Sequence, residues 1–467
     1  MPVRKLITYF FVLGLFFIPF NEYEGLSFLG EYSTESAVLF FIPAFLLIVL
    51  YTLFVKKLNF PYRNNLYLVL LLFIIWCIIS TLLNASNVYS FYFKGTSGLS
   101  RFIRQLFSLI LSSVIFFQVY WFVFKDKTAE QIFLLIRKTF FTSLVVVSIY
   151  GFIETLISFF GLYFLKPLLD LFGYLPFLEP ELHVEGRISS VSYEPPFLAI
   201  YLITIAGWMF SFIITDKGYK RYFPAVAVLL LTFFSGSRTA LIVVTIQFIV
   251  FLYFLYFHYA QKRIVLLFVK YALFFTLAVG IVSGVKFYDA IKEKVESLNF
   301  LGNLKSNPSN KSRLGIQYTS LLIFAENPVS GVGLGQQAYV ARGRYPGWAT
   351  KNNYEFYIFY KNKKEKSFPP GYNIYTRILA ELGIIGFGIF LFLQYRMLSK
   401  AKKLIKNEDN NRKILGLATY ISLVGLFINW MQIDSFRIYG VWISLAILII
   451  SSRNNNEQHN SLNTTLQ

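Results

Sequence analysis

Cysteine is almost missing from this chain: Cys77 is one residue in 467. No intrachain disulfide can form, and no paired-cysteine spacing exists for a structural zinc. Histidine is nearly as rare, and His183, His258 and His459 are too scattered for a zinc motif. Charge is scarce as well, at 15% of residues against roughly 25% in soluble domains. That shortage excludes an ordinary water-soluble domain.

Apolar side chains take the vacant share: 56% of residues are hydrophobic, 19% are aromatic, and mean hydropathy is +0.56. They come in runs of about 15 to 25 residues, each about long enough to cross a hydrocarbon core some 30 Å thick. Helices satisfy their own backbone hydrogen bonds and can sit in lipid. The ten-residue alternation of a membrane β-barrel is absent. The expected fold is an all-α polytopic membrane protein of about twelve transmembrane helices. The spans fall at 6–20, 36–55, 65–83, 103–124, 139–165, 195–215, 222–235, 238–257, 264–284, 371–396, 413–430 and 436–452. Met1 to Lys5 and the following run resemble a signal peptide. They lack a small-x-small cleavage site and are read as a retained first helix.

A net charge of +20 raises nucleic acid as a partner, but the charge distribution argues against it. Lys and Arg cluster in short connectors, about 22 on one side against about 7 in the short loops of the other. The loop 21–35 has no Lys or Arg and carries Glu22, Glu24, Glu31 and Glu35. The positive-inside rule then places both termini in the cytoplasm of a bacterial inner membrane. One transmembrane domain, 1–452, is expected, with a large outer-face (periplasmic) loop at 285–370 and a second at 166–194. A polar tail, 453–467, is expected to be disordered and cytoplasmic. The large loop is itself basic. Solubility and an anionic ligand such as phosphate are both consistent with that.

Three outer-face stretches carry the residues fit for chemistry. In Gly186-Arg-Ile-Ser-Ser-Val-Ser-Tyr-Glu-Pro-Pro196, Arg187 offers bidentate recognition of phosphate or carboxylate. Glu194 there is either an acid or base, or a cap for the helix that the two prolines open. In Phe234-Ser-Gly-Ser-Arg-Thr239, Arg238 sits at a turn between two apolar helices and needs a partner or a wet cavity; interfacial snorkelling is its bland reading. The third stretch is a helix over 311–326 with Arg313 and Gln317 one turn apart, followed by the glycine-rich turn Asn327 to Gly335. Without a following Lys-Ser/Thr that turn is no Walker motif. The loop closes at Gly371-Tyr-Asn373. Beyond it, Arg377 and Glu381 are four apart on a helix, the spacing of an internal ion pair. The aromatic run Tyr354 to Tyr360, with Lys361 to Lys366 after it, reads as a membrane-surface segment or a sugar-stacking one.

With these motifs in this order, the sequence resembles the O-antigen polymerase and ligase family (Wzy- and WaaL-type membrane glycosyltransferases). The resemblance rests on Ser237-Arg238-Thr239, on Arg313, on Pro328 to Gly335, and on Tyr372-Asn373 through Glu381-Leu-Gly-Ile-Ile-Gly386. Tyr372 stands where many relatives have His. The family implies transfer of an oligosaccharide repeat unit from undecaprenyl pyrophosphate at the outer face of the membrane. It favours a polymerase making O-antigen, capsule or exopolysaccharide, over a ligase acting on lipid A-core or a lipid-linked oligosaccharide flippase. Arg187, Arg238 and Arg313 are then contacts of the diphosphate or of a sugar anion, with Tyr372 and Asn373 on the substrate. Glu194, or else His183, is the base. No nucleotide motif or acidic metal pair is visible, so neither cofactor nor metal is expected. Implied partners are the lipid-linked glycan and membrane lipids. A chain-length regulator and a flippase are further candidates, and no nucleic acid is expected.

Overall fold

The structure, a computed structural model, describes residues 2–22, 25, 27–54, 60–182, 186–259, 261–268, 270, 308–362, 364 and 368–451. Most of the expected span 264–284, the first part of the large loop, His183 and the tail 453–467 lie outside these residues. The other expected spans are all helical. In chain order they are α1 (Pro2–Phe16), α2 (Val38–Phe54), α3 (Asn65–Leu83), α4 (Gly98–Phe124), α5 (Ala129–Phe160), α6 (Pro195–Thr215), α7 (Phe223–Phe234) and α8 (Arg238–Phe257). The helix α9 (Pro308–Glu326) belongs to the large loop. After it come α10 (Ile374–Ile405), α11 (Asn410–Asn429) and α12 (Tyr439–Ser451). Among the described residues seven helices are long and apolar enough to cross a membrane, namely α3, α4, α5, α6, α8, α10 and α11.

Where helix ends depart from the hydropathy reading, capping explains why. Helix α5 starts ten residues before the apolar run, because Thr128 and Gln131 form a reciprocal capping box. It stops at Gly161, which takes the left-handed conformation (φ 68°) of a helix C-terminus. Helix α10 runs on through Lys402 and Lys403, cations that suit the negative end of its dipole.

Helix α10 packs against α3 and α11, and α11 against α6 and α8. Helix α12 is buried along its whole length, as an all-apolar helix should be. The irregular segment before it, 430–438, carries Asp434 and Arg437 into the bundle. Non-helical backbone of that kind is tolerated where it lines a cavity.

Helix α10 is broken at Gly383 (φ 63°, ψ −167°), and the break is filled by the glycine-rich turn. The carbonyls of Ala380 and Glu381, freed from helical pairing, accept the Val332 and Gly333 amides at 3.0 and 2.8 Å. That of Leu382 accepts the Trp76 indole N–H at 2.9 Å. In return the Ile384 amide donates to the Pro328 carbonyl at 2.8 Å. The Ser80 hydroxyl donates to Ser330 O at 2.6 Å, and the Asn84 amide to Gly331 O at 3.0 Å. The turn therefore does not cradle a phosphate. It binds the large loop into the interior of the bundle, and a kink satisfied in this way needs no water.

Candidate functional site

The loop 186–194 is held on every side. The buried carboxylate of Glu154 on α5 accepts the Ser189 and Ser190 amides at 3.1 and 2.7 Å. The Ile188 amide donates to Phe234 O at 3.2 Å, at the end of α7. The Ser192 hydroxyl donates to Pro19 O at 2.8 Å, and the Tyr193 amide to Asn21 Oδ1 at 2.8 Å. Hydrogen bonds from two adjacent amides to one carboxyl group fix a tight loop. At its exit Glu194 occupies the N-cap position of α6, yet its side chain makes no capping bond. It is exposed and lines a cavity instead.

Arg187 crosses the turn between α7 and α8. Its Nε donates to Ser235 O at 3.3 Å, and its stem lies against Gly236 (φ 63°), where a Cβ would come 2.9 Å from Arg187 Cγ. The turn ends in Ser237, whose hydroxyl caps α8 by accepting the Ala240 amide, and Arg238 is the first residue of that helix. Arg313 reaches in from α9. It donates to Gln432 Oε1 at 3.0 Å and lies 5.2 Å from the Tyr372 ring centre. Its Nε is buried with no hydrogen-bond partner among the described residues. Burial lowers the Arg187 pKa, Arg238 adds to that, Glu194 opposes it, and Arg313 lowers it further. The three expected arginines and Glu194 thus share one electrostatic neighbourhood, in which a bound anion would relieve the repulsion among the cations.

The cavity has a volume of about 390 Å³, within the roughly 300–1,000 Å³ of small-molecule sites. Glu194, Arg313 and Tyr372 line it, together with Glu355, Asp434 and Arg437. Tyr372 has φ 56°, a left-handed conformation that costs a bulky residue on the order of 1–3 kcal/mol. It is held between two fixed neighbours. The Gly371 amide donates to Asp434 Oδ2 at 2.7 Å, and Asn373 caps α10 by accepting the Tyr375 and Thr376 amides. The Asn373 amide nitrogen donates to Gln317 at 3.4 Å, so both polar ends of that side chain are engaged. Burial first, then Glu355, raises the Tyr372 pKa; Arg313 opposes this, and Asp434 and Glu194 add to it. Its phenol stays protonated at neutral pH and can donate a hydrogen bond, but it is no base.

Beneath the cavity lies an ion network that the sequence reading reached only through the Arg377–Glu381 pair, which forms at 3.2 Å. Arg377 also donates to Asp434 O and to Gln105 Oε1, each at 2.6 Å. Arg437 pairs with Glu35 at 3.3 Å and with Glu31 at 3.6 Å, and Arg101 stands 3.8 Å from Glu31. Burial pushes Glu31 up, but Arg437, Arg101 and Arg377 together hold its pKa below the ordinary carboxylate value. The network ties the loop before α2 to α4, α10 and the 430–438 segment, and so fixes the cavity floor. Asp434 and Arg437 were visible in sequence as two charges in the otherwise uncharged stretch from Ile414 to Ser452, a placement that normally marks function. Glu355 had no such signal, since it sits in a loop rich in charge.

Comparison with known proteins bears on this region. Residues 223–391 match the O-antigen ligase family model, a stretch that holds Arg238, Arg313, Tyr372 and the interlocked turn. The chain is also 25% identical over 255 residues to a Rickettsia conorii protein that carries the provisional name polysaccharide ligase. That match covers 53% of this chain and 54% of the other, so the chain spans about half the length of the relative it matches.

Proposed function

We propose that this chain is a membrane glycosyltransferase at the outer face of the bacterial inner membrane. In this reading it polymerises undecaprenyl-pyrophosphate-linked oligosaccharide repeat units, the material of O-antigen, capsule or exopolysaccharide. The observation that supports the reading is that Arg313 and Glu194 line one cavity, with Arg187 and Arg238 near enough for their charges to act on one another and on Arg313.

An acceptor hydroxyl attacks the anomeric carbon of the donor sugar, and the bond to the diphosphate breaks. Charge develops on the departing diphosphate, where preorganised guanidinium donors stabilise it more in the transition state than in the ground state. Glu194 takes the hydroxyl proton; it carries no capping bond and is free to turn toward the acceptor. His183, the second candidate base, lies outside the described residues. Tyr372 and Asn373 belong to the substrate side, Tyr372 as a hydrogen-bond donor and Asn373 as the cap that sets it in place. A ligase is the second reading, favoured by the names of the matching family and of the rickettsial relative. The polymerase is preferred because Tyr372 replaces the histidine expected of a ligase.

The test is reconstitution in lipid vesicles with undecaprenyl-pyrophosphate-linked repeat units from the host, resolved by size. A ladder of added repeats is the expected product. Transfer only when lipid A-core is supplied would make the chain a ligase, and no transfer under either condition would end the glycosyltransferase reading.

The proposed topology puts both termini in the cytoplasm and the 285–370 loop outside. In a Cys77→Ser background, Tyr354→Cys should react with an impermeant maleimide in cells whose outer barrier is opened. Lys406→Cys should react only after the inner membrane is broken. The reverse pattern would invert the topology and remove the outer-face site with it.

A further inference from the structure

Glu355 stands in the short helix Tyr354–Phe356 of the large loop, and its position is tightly fixed. Asn353 caps that helix, accepting the Glu355 amide at 3.1 Å. The same side chain donates to Pro308 O at 3.1 Å, and to Ser312 Oγ and Ala349 O at 2.9 Å. Phe356 is buried with Ile316 and Ala349, and Tyr345, Tyr360 and Tyr372 pack around them. The aromatic run is therefore two-sided: Tyr354 and Tyr357 face out, while Phe356 is 5% exposed. Glu355 is joined to α9, the helix that carries Arg313, and it lines the same cavity as Arg313 and Tyr372.

One oxygen of this carboxylate, Oε2, is buried and has no hydrogen-bond partner among the described residues. Nor does Glu355 form an ion pair with any of them. A buried acceptor left unpaired costs about 1–3 kcal/mol, which a ligand donating a hydrogen bond would recover. That ligand group is not the diphosphate, which a carboxylate repels. The charges acting on Arg187 are Arg238, Glu194 and Arg313, whereas those acting on Tyr372 include Glu355 and Asp434. Arg313 and Glu194 share one cavity lining with Tyr372, Glu355 and Asp434. With the diphosphate held by the arginines, the part of the cavity lined by Tyr372 and Glu355 is left to the acceptor. A neutral sugar offers hydroxyl donors to a carboxylate and an apolar ring face to an aromatic side chain.

We propose that Glu355 and Tyr372 form the acceptor-sugar subsite, the Glu355 carboxylate receiving hydrogen bonds from hydroxyls of the acceptor. This rests on the glycosyltransferase reading above, with Glu194 remaining the base and Glu355 a specificity determinant. The test uses the full-length protein in vesicles, with the lipid-linked repeat unit as donor and the lipid-free repeat-unit oligosaccharide as acceptor. Glu355→Ala should raise the acceptor KM about 10- to 100-fold, with Glu355→Gln between it and wild type. Donor KM and the pH profile of kcat should stay where they are. A collapse of kcat with a displaced pH profile would make Glu355 the base, and a raised donor KM would put it on the donor; either overturns the proposal. Unchanged kinetics in an active variant would overturn it too. If wild type itself transfers nothing, it is the glycosyltransferase reading that fails, a result distinct from all of these.

Discussion

Arg313→Ala should lower the rate of glycan transfer by about 10²- to 10³-fold while the protein still accumulates in the membrane. Arg313 makes one hydrogen bond to Gln432 and lies over Tyr372, and its Nε is buried without a partner. Removing a side chain that is only partly satisfied within the fold costs little stability. Removing a preorganised cation from the developing diphosphate charge costs about 3–4 kcal/mol of transition-state stabilisation. Arg313→Lys should recover little, because a single ammonium cannot keep both the Gln432 contact and a planar grip on the anion. The corresponding loss at Arg238 should not add fully to that at Arg313, since the two act on one leaving group. Wild-type chain lengths from Arg313→Ala, at matched protein levels, would remove the diphosphate clamp from the mechanism.

Gly383→Ala should act on folding instead. Its φ of +63° is strained for any residue with a side chain, and a Cβ there would stand 2.2 Å from Val329 O and 2.4 Å from Val329 C. Both are backbone atoms of the turn seated in the break, so no rotamer change relieves the clash. At least about 3 kcal/mol is expected to be lost, with the turn displaced from α10. Gly388 lies one and a half turns further along the same helix, and nothing is within 4 Å of a Cβ built on it. Gly388→Ala should therefore be neutral or up to about 1 kcal/mol stabilising. Unfolding both variants by SDS in mixed micelles compares them directly. Equal midpoints would mean that the break in α10 is not needed for stability.

Element positions were legible in the sequence because lipid leaves a chain so few options. Long apolar runs must be helices, and spans 65–83, 195–215 and 238–257 match helices α3, α6 and α8 to within a residue. Helix ends were less legible where a polar cap such as Thr128 extends a helix beyond its apolar run. The three arginines and Glu194 could be picked out singly, since charge beside apolar helices is costly. Their company came from the family resemblance and not from the residues themselves, because Arg187 and Arg313 are 126 residues apart. The glycine-rich turn shows a different limit. Its composition is compatible with cradling a ligand or docking on backbone, and the deciding partner, Gly383, lies some fifty residues away. Glu355 was hidden by its neighbours, one acid among many lysines. Its interest comes from an unpaired oxygen that no sequence displays.

The interlock at Gly383 also sets how this protein can be recombined with its relatives. A segment exchanged to alter glycan choice is naturally cut at the two ends of the loop, near 308 and 370. Such a cut parts residues 328–335 from 380–384, whose backbones hold one another at contact distance. A donor turn would arrive shaped for a different break in a different helix. Exchanges that carry 308–386 as one block keep both halves of the joint. Inherited or engineered, new specificity should therefore travel with the first part of helix α10 attached.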